Sequence, residues 1–249
     1  MQYLNNMNFK PIYYISLTYP DLKTSTKMIA EYISHGATAL QIDMPASDPK
    51  YETPLVAEAM AKALASDSNY DTYIDALKEI ASNNPSVELH LVVYPEVVEK
   101  IGFAKFVDFV KEIKAASVMI AGGDDKLSQD LINEGIIVIG RIDRMLLDEQ
   151  LEEYSSLSED RIFNFNYKRH VEIAPHDCVS FKQKIDYIRS KGVKCRIFAV
   201  EGIKNKEMML EVKDAGANGA LIGNALMNLW SNEEELWKLF DEFQNVSER

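Results

Sequence analysis

The chain has 249 residues, 47% hydrophobic and 27% charged, the balance of a globular protein with a sizeable core, which excludes intrinsic disorder and collagen. Its 27 Lys and Arg against 39 Asp and Glu leave a formal charge of −12, so nucleic acid and anionic membranes are excluded as partners, and an anionic substrate must be held by local groups. No run approaches the ~20 apolar residues of a membrane span, and MQYLNNMNFKPIYYIS lacks the basic, apolar, small-residue order of a signal peptide, so the expected location is the cytoplasm.

In chain order, eight short β-rich runs are expected as strands: Pro11 to Leu17, Ala39 to Met44, Glu88 to Val93, Ser117 to Ile120, Ile136 to Ile139, Arg161 to Asn166, Cys195 to Val200 and Gly219 to Ile222. Between them apolar residues recur at spacings of three and four, as in Met28, Ile29, Tyr32, Ile33 and in Phe106, Phe109, Val110, Ile113. That spacing makes a helical stripe able to cover a sheet. Glycine stands just before several strands, in HGATAL, EGIIVI, KGVKC and AGANGAL, where a helix ends most easily in a left-handed residue. Eight βα units without a long linker, and without a GxGxxG turn after the first strand, point to a single (β/α)₈ TIM barrel with its core over about residues 11 to 245. Extra short helices are expected after strand two, at Val56 to Ala65, and after strand eight, at Ala225 to Trp230.

Two segments carry the chemistry. In LIGNALMNLW a buried strand runs into Gly223 and a short helix beginning near Asn224. A helix start backed by glycine favours a phosphate, and Gly202 in FAVEGIKN would form a second wall. The plainer alternative is a turn at Gly223 with Asn224 as helix cap. The second segment is QIDMPASDPKYETP, residues 41 to 54. Gln41 and Asp43 are two apart in a strand and share a face, and Asp48 and Glu52 follow, giving carboxylates of the kind acid–base catalysis needs. For Asp48 a turn role weighs more than catalysis.

Other candidates read as structure. His35 ends a helix, His90 lies inside a strand, and GGDDK at 122 to 126 supplies N-terminal charges to a helix. His170 and His176 fall in a loop able to act as a lid. Cys178 and Cys195 lack metal-ligand spacing and are expected as reduced thiols, with no metal and no cofactor required. Trp230, Trp237, Phe240 and Phe243 recur at helical spacing as packing residues.

The order PIYYISLTYPDL, HGATALQIDMPASDPKYETP, LVVYPEV, VEGIKN and DAGANGALIGNAL resembles the tryptophan synthase α-subunit family along nearly the whole chain. The resemblance implies a (β/α)₈ barrel that cleaves indole-3-glycerol phosphate to indole and glyceraldehyde 3-phosphate beside a β subunit. It places the family's catalytic glutamate on Gln41, an amide that cannot exchange a proton as a carboxylate does, and the second carboxylate on Glu52, followed by Thr53 instead of glycine. Gly202, Gly223 and Asn224 fall on phosphate-binding positions, Tyr94 on a pocket tyrosine, and Pro45 and Asp48 on the surface facing the β subunit. Asn164 and Ile173 stand where the family has a pocket tyrosine and a phosphate-loop glycine.

Three readings follow: a lyase of this type, weakened or altered at Gln41 unless Asp43 supplies the missing carboxylate; a weakly active or inactive partner of a β-like subunit; and a lyase or isomerase for another small phosphorylated substrate.

Overall fold

The computed structural model describes residues 9–168 and 173–247. The ten residues before the expected barrel core, for which the sequence suggests a partly helical or loose segment, therefore lie mostly outside the described residues, as does His170. Two compact units divide the chain, Tyr14–Val138 and the combination of Met1–Tyr13 with Ile139–Arg249.

Strand β1 (Lys10–Ser16) contributes to both units. The first unit continues with α1 (Leu22–Ser34), β2 (Ala39–Asp43), α2 (Pro54–Ser66), α3 (Tyr70–Asn83), β3 (Glu88–Val93), α4 (Pro95–Ile101), α5 (Phe103–Glu112), β4 (Ser117–Ile120) and α6 (Asp125–Asn133). The second holds β5 (Gly140–Arg141), α7 (Asp148–Ser155), β6 (Ile162–Asn166), α8 (Phe181–Ser190), β7 (Arg196–Val200), α9 (Lys206–Asp214), β8 (Gly219–Ile222), α10 (Asn224–Met227) and α11 (Glu233–Ser247). The strands follow the order β4-β3-β2-β1-β8-β7-β6-β5, with parallel pairing. This strand order with its interleaved helices is the (β/α)₈ TIM-barrel class.

Local chemistry explains the boundaries. Asp21, Asn69, Asp124 and Asn205 each accept a backbone N–H from the first turn of the helix they precede, and Ser180 and Gln183 form a reciprocal capping box on α8. Gly36, Gly135, Gly192 and Gly216 all have φ between 80° and 96°, the left-handed stop anticipated from the four glycine-bearing junctions. Every residue of β2 is buried, so ALQID is an uninterrupted interior strand that carries Gln41 and Asp43 inward.

The fifth strand departs from expectation. The apolar run Ile136 to Ile139 is largely interior, with Ile136, Val138 and Ile139 buried, but only Val138 makes a bridge, to Val118. The ladder itself forms at Gly140–Arg141 against Phe163–Asn164. Gly140 makes this possible, because a Cβ there would come within 2.4 Å of the Phe163 ring. The helix expected at Ala225 to Trp230 is the shorter α10.

The second unit packs Tyr13 on Phe240 with ring centroids 4.4 Å apart, and Leu236, Phe240 and Phe243 of α11 are fully buried. Phe240→Ala is expected to cost ~3–5 kcal/mol by urea denaturation. Exposed Lys238→Ala is expected to change stability by less than about 0.5 kcal/mol.

Candidate active site

Asp43 is the last residue of β2 and has no solvent exposure. Such a carboxyl needs donors, because desolvation penalises its charged form. Two meet it from β1 and the turn beyond: the Leu17 N–H donates to Oδ1 at 2.9 Å, and the Tyr14 hydroxyl approaches Oδ2 at 2.6 Å. The same Tyr14 hydroxyl lies 2.9 Å from Oε2 of Glu52. Glu52 is positioned by its neighbour, since Thr53 caps α2 by accepting the Val56 N–H and so fixes where the loop enters the helix. One phenol thus joins the carboxyls of β2 and of the loop after it.

Burial, then the charge of Glu52, pushes Asp43 up to about 7, against the opposing donors Tyr14 and Leu17 N–H. Burial also raises Glu52, with Tyr14 opposing. Tyr14 itself is driven well above its ordinary value by burial and by both carboxylates, so the phenol keeps its proton. Two carboxyls with raised pKa values thus meet on one phenolic oxygen, the kind of arrangement that acid–base chemistry uses.

The loop between Asp43 and Glu52 is held from several sides. Glu96, at the start of α4, accepts the Ser47 N–H at 2.5 Å and the Ser47 hydroxyl at 2.6 Å. Tyr70 of α3 donates to the Pro45 carbonyl at 2.9 Å. The Tyr51 N–H donates to the Tyr94 hydroxyl at 3.2 Å and the two rings stack at 6.3 Å. A Cβ on Gly122 would come 2.7 Å from the Tyr51 ring, so glycine is required there for the ring to lie where it does. Tyr94, raised by burial to about 12, also senses Glu52 and Asp43.

Not every expected residue joins this cluster. Asp48 pairs with exposed Lys50 at 2.9 Å, in keeping with a turn role. Gln41 is buried in register with His90, and His90 Nδ1 lies 2.7 Å from the Ser117 hydroxyl, an interior hydrogen bond. His35 caps α1 and Asp124 caps α6. Cys178 and Cys195 are free and buried. Among the described residues no group of three or more His, Cys, Asp or Glu could hold a metal, and no helix is long and apolar enough to cross a membrane.

Gly202 and Gly223 belong to the second unit, in the segments after β7 and β8. Gly202 has φ +91°, and a Cβ would meet the Lys168 side chain at 2.8 Å. Gly223, not Asn224, is the cap residue of α10, its carbonyl accepting the Leu226 and Met227 N–H groups at 3.0 and 3.3 Å. The alternative in which Asn224 caps this helix is therefore incorrect, and Asn224 stands exposed at the first helical position. Asn164 is buried on β6, and the Ile173 carbonyl accepts the buried Lys184 ammonium at 2.7 Å.

Tyr14 escaped the sequence reading. In PIYYISL it looks like one more aromatic strand residue, and nothing in the strand periodicity marks its hydroxyl as the partner of Asp43, 29 residues on.

A family model described as tryptophan synthase alpha chain matches residues 3–247. The chain belongs to this family. Among curated relatives, the tryptophan synthase alpha chain of Neisseria meningitidis serogroup B is 23% identical over 89% of this chain and 87% of that protein. The one from Thermotoga petrophila is 25% identical over 88% and 89%. In fold, the chain is similar to tryptophan synthase from M. tuberculosis (TM-score 0.78, 15% identity, covering 97% and 94%). It is likewise similar to a mutant α-subunit from Pyrococcus furiosus (TM-score 0.73, 19% identity, covering 96% and 98%).

A carboxyl whose folded pKa is raised contributes stability that is fully present below its unfolded value and is lost as pH rises through the folded value. For Asp43 that window runs from about 4 to about 7. Asp43→Asn is therefore expected to be more stable than wild type at pH 8, relative to their difference at pH 4, by on the order of a few kcal/mol in denaturant titrations.

Proposed function

We propose that the chain is an α-type carbon–carbon lyase acting on indole-3-glycerol phosphate or a close analogue. The carrying observation is the meeting of Asp43 and Glu52 on the Tyr14 hydroxyl. Cleavage of this kind needs a base to take the glycerol hydroxyl proton and an acid to protonate the indole ring carbon as the bond breaks. The family supplies that reaction, and Gln41 leaves its usual glutamate position without a titratable proton. Asp43, two residues along the same strand, restores a carboxyl to the cluster. It is wholly buried, so Glu52 is the carboxyl that reaches substrate and Asp43 acts through its neighbours.

The phosphate is assigned to the first-turn N–H groups at Gly223 and Asn224, with Gly202 nearby in sequence terms on the preceding βα loop. Asp48 lies exposed where a β-like subunit would dock, whereas Pro45, expected on the same surface, is buried with its carbonyl held by Tyr70 and serves to shape the loop; the Glu96 clamp on Ser47 supports a fixed shape for this face. Proton transfer alone carries this chemistry, so no cofactor is invoked. The altered carboxyl arrangement makes the isolated chain slower than an ordinary family member, since a misplacement of ~1 Å can cost on the order of 10²-fold.

The test is indole release from indole-3-glycerol phosphate. Glu52→Gln is expected to lower kcat by ~10² to 10⁴-fold, and Gly223→Asp to abolish phosphate binding measured by calorimetry, because it sets a carboxylate where the anion sits. If wild type releases no indole and Gln41→Glu restores none, the lyase reading falls. A regulatory partner of a β-like subunit, or an enzyme for another phosphorylated substrate, then takes its place. Unchanged phosphate affinity in Gly223→Asp would put the anion site elsewhere.

A further inference from the structure

The Tyr14 hydroxyl has one proton to donate, and an ionised carboxylate can only accept. Yet its oxygen lies within hydrogen-bond distance of two carboxyl oxygens, 2.6 Å from Asp43 and 2.9 Å from Glu52. At these distances both contacts are full two-centre hydrogen bonds only if one carboxyl is itself protonated and donates to the phenolic oxygen, since one shared proton would make two weaker, bent bonds. With both carboxyls ionised, one contact would set a lone pair against an anion beside a wholly buried aspartate.

We infer that Tyr14, Asp43 and Glu52 form one proton-sharing unit, holding two protons and a single negative charge near neutral pH, in which Tyr14 is a catalytic residue that relays protons between the carboxyls. This deepens the lyase reading and rests on it for the step that follows. Glu52, as the anion, takes the glycerol hydroxyl proton. Tyr14 gives its proton to the indole ring carbon, which keeps the electron pair of the breaking carbon–carbon bond, while the hydroxyl-bearing carbon becomes a carbonyl. Asp43, as the acid, passes its proton to the Tyr14 oxygen in the same step, so no free phenolate forms. Glu52 ends protonated and Asp43 ionised, and return of one proton through Tyr14 resets the unit. Atoms and charge balance without any co-reactant.

The geometry suits these roles. Asp43 is held from behind by the Leu17 N–H and has no exposure, whereas Tyr14 and Glu52 are both partly exposed. Gln41, the nearest polar side chain on β2, adds no charge, and Tyr94 beyond β3 is a further titratable group that senses both carboxyls. The raised values of all three members agree with a retained proton.

The experiment combines carboxyl ¹³C NMR of the full chain with the cleavage assay. Asp43→Asn and Glu52→Gln assign the two resonances. The expected result is one carboxyl proton retained by the pair at about pH 6, with Asp43 titrating lower in Glu52→Gln as the like charge is removed. Tyr14→Phe, which keeps the ring, is expected to lower kcat by ~10²-fold or more with KM largely kept. The proton inventory in mixed light and heavy water should be curved in wild type, where the protons of Asp43, Tyr14 and the glycerol hydroxyl move together, and linear in Tyr14→Phe, where only the glycerol hydroxyl proton is in flight as the bond breaks. Two fully ionised carboxyls in wild type at about pH 6, or a Tyr14→Phe enzyme with wild-type kcat and a curved inventory, overturns the inference. If wild type releases no indole, the lyase reading fails by itself, and the NMR titration still decides whether the proton is shared.

Discussion

One phenolic oxygen within reach of two carboxyls is the constraint around which the first unit is arranged. A buried carboxyl is costly unless it is neutralised or supplied with donors, and β1 with the turn beyond it meets that demand twice, through Tyr14 and through the Leu17 N–H. The contact to Glu52 then fixes the far end of the loop that leaves β2, so a side-chain interaction on one strand determines where a surface loop returns to the fold. Because all three groups titrate in response to one another, the chemistry belongs to the set rather than to any member.

The loop itself connects that chemistry to the surface. Glu96 spends both its oxygens on Ser47, and although burial works upward on it, those hydrogen bonds and Lys100 hold it below the usual carboxylate range. Tyr51 stacks on Tyr94 while remaining 67% exposed. Movement of the Pro45–Asp48 stretch would therefore pull on Glu52 through a chain only four residues long and on Tyr94 through Tyr51. A protein seated on this face would have a short mechanical path to the carboxyl pair.

The fold was legible because its signals were local and repeated. Apolar runs, helical stripes and four glycine stops recur from end to end, and Ser117–Ile120, Glu88–Val93 and Gly219–Ile222 match their expected bounds. The fifth strand was displaced because burial of Ile136 to Ile139 does not require ladder pairing, while a close approach to Phe163 does require Gly140. Within the site, Asp43 and Glu52 stood out as carboxylates in a strand-to-loop segment. Tyr14 did not, since its role depends on an oxygen 29 residues away in sequence, and strand periodicity carries no information about which neighbouring strand supplies a partner. Asp48, expected as a turn residue from its Ser-Asp-Pro setting, is the exposed partner of Lys50, whereas Asp43 two strand positions beyond Gln41 is fully buried.

The burial of Asp43 also constrains the route by which such a site can arise. An aspartate at 43 without a hydroxyl at 14 would lose its shortest contact and keep the Leu17 N–H, and a glutamate at 41 would set a second carboxyl on the same buried strand. Substitutions at 14, 41 and 43 are therefore not interchangeable in order: the energetic effect of each depends on which of the others is present. The three side chains therefore form one energetically coupled set, and exchanging any of them changes what the other two can tolerate.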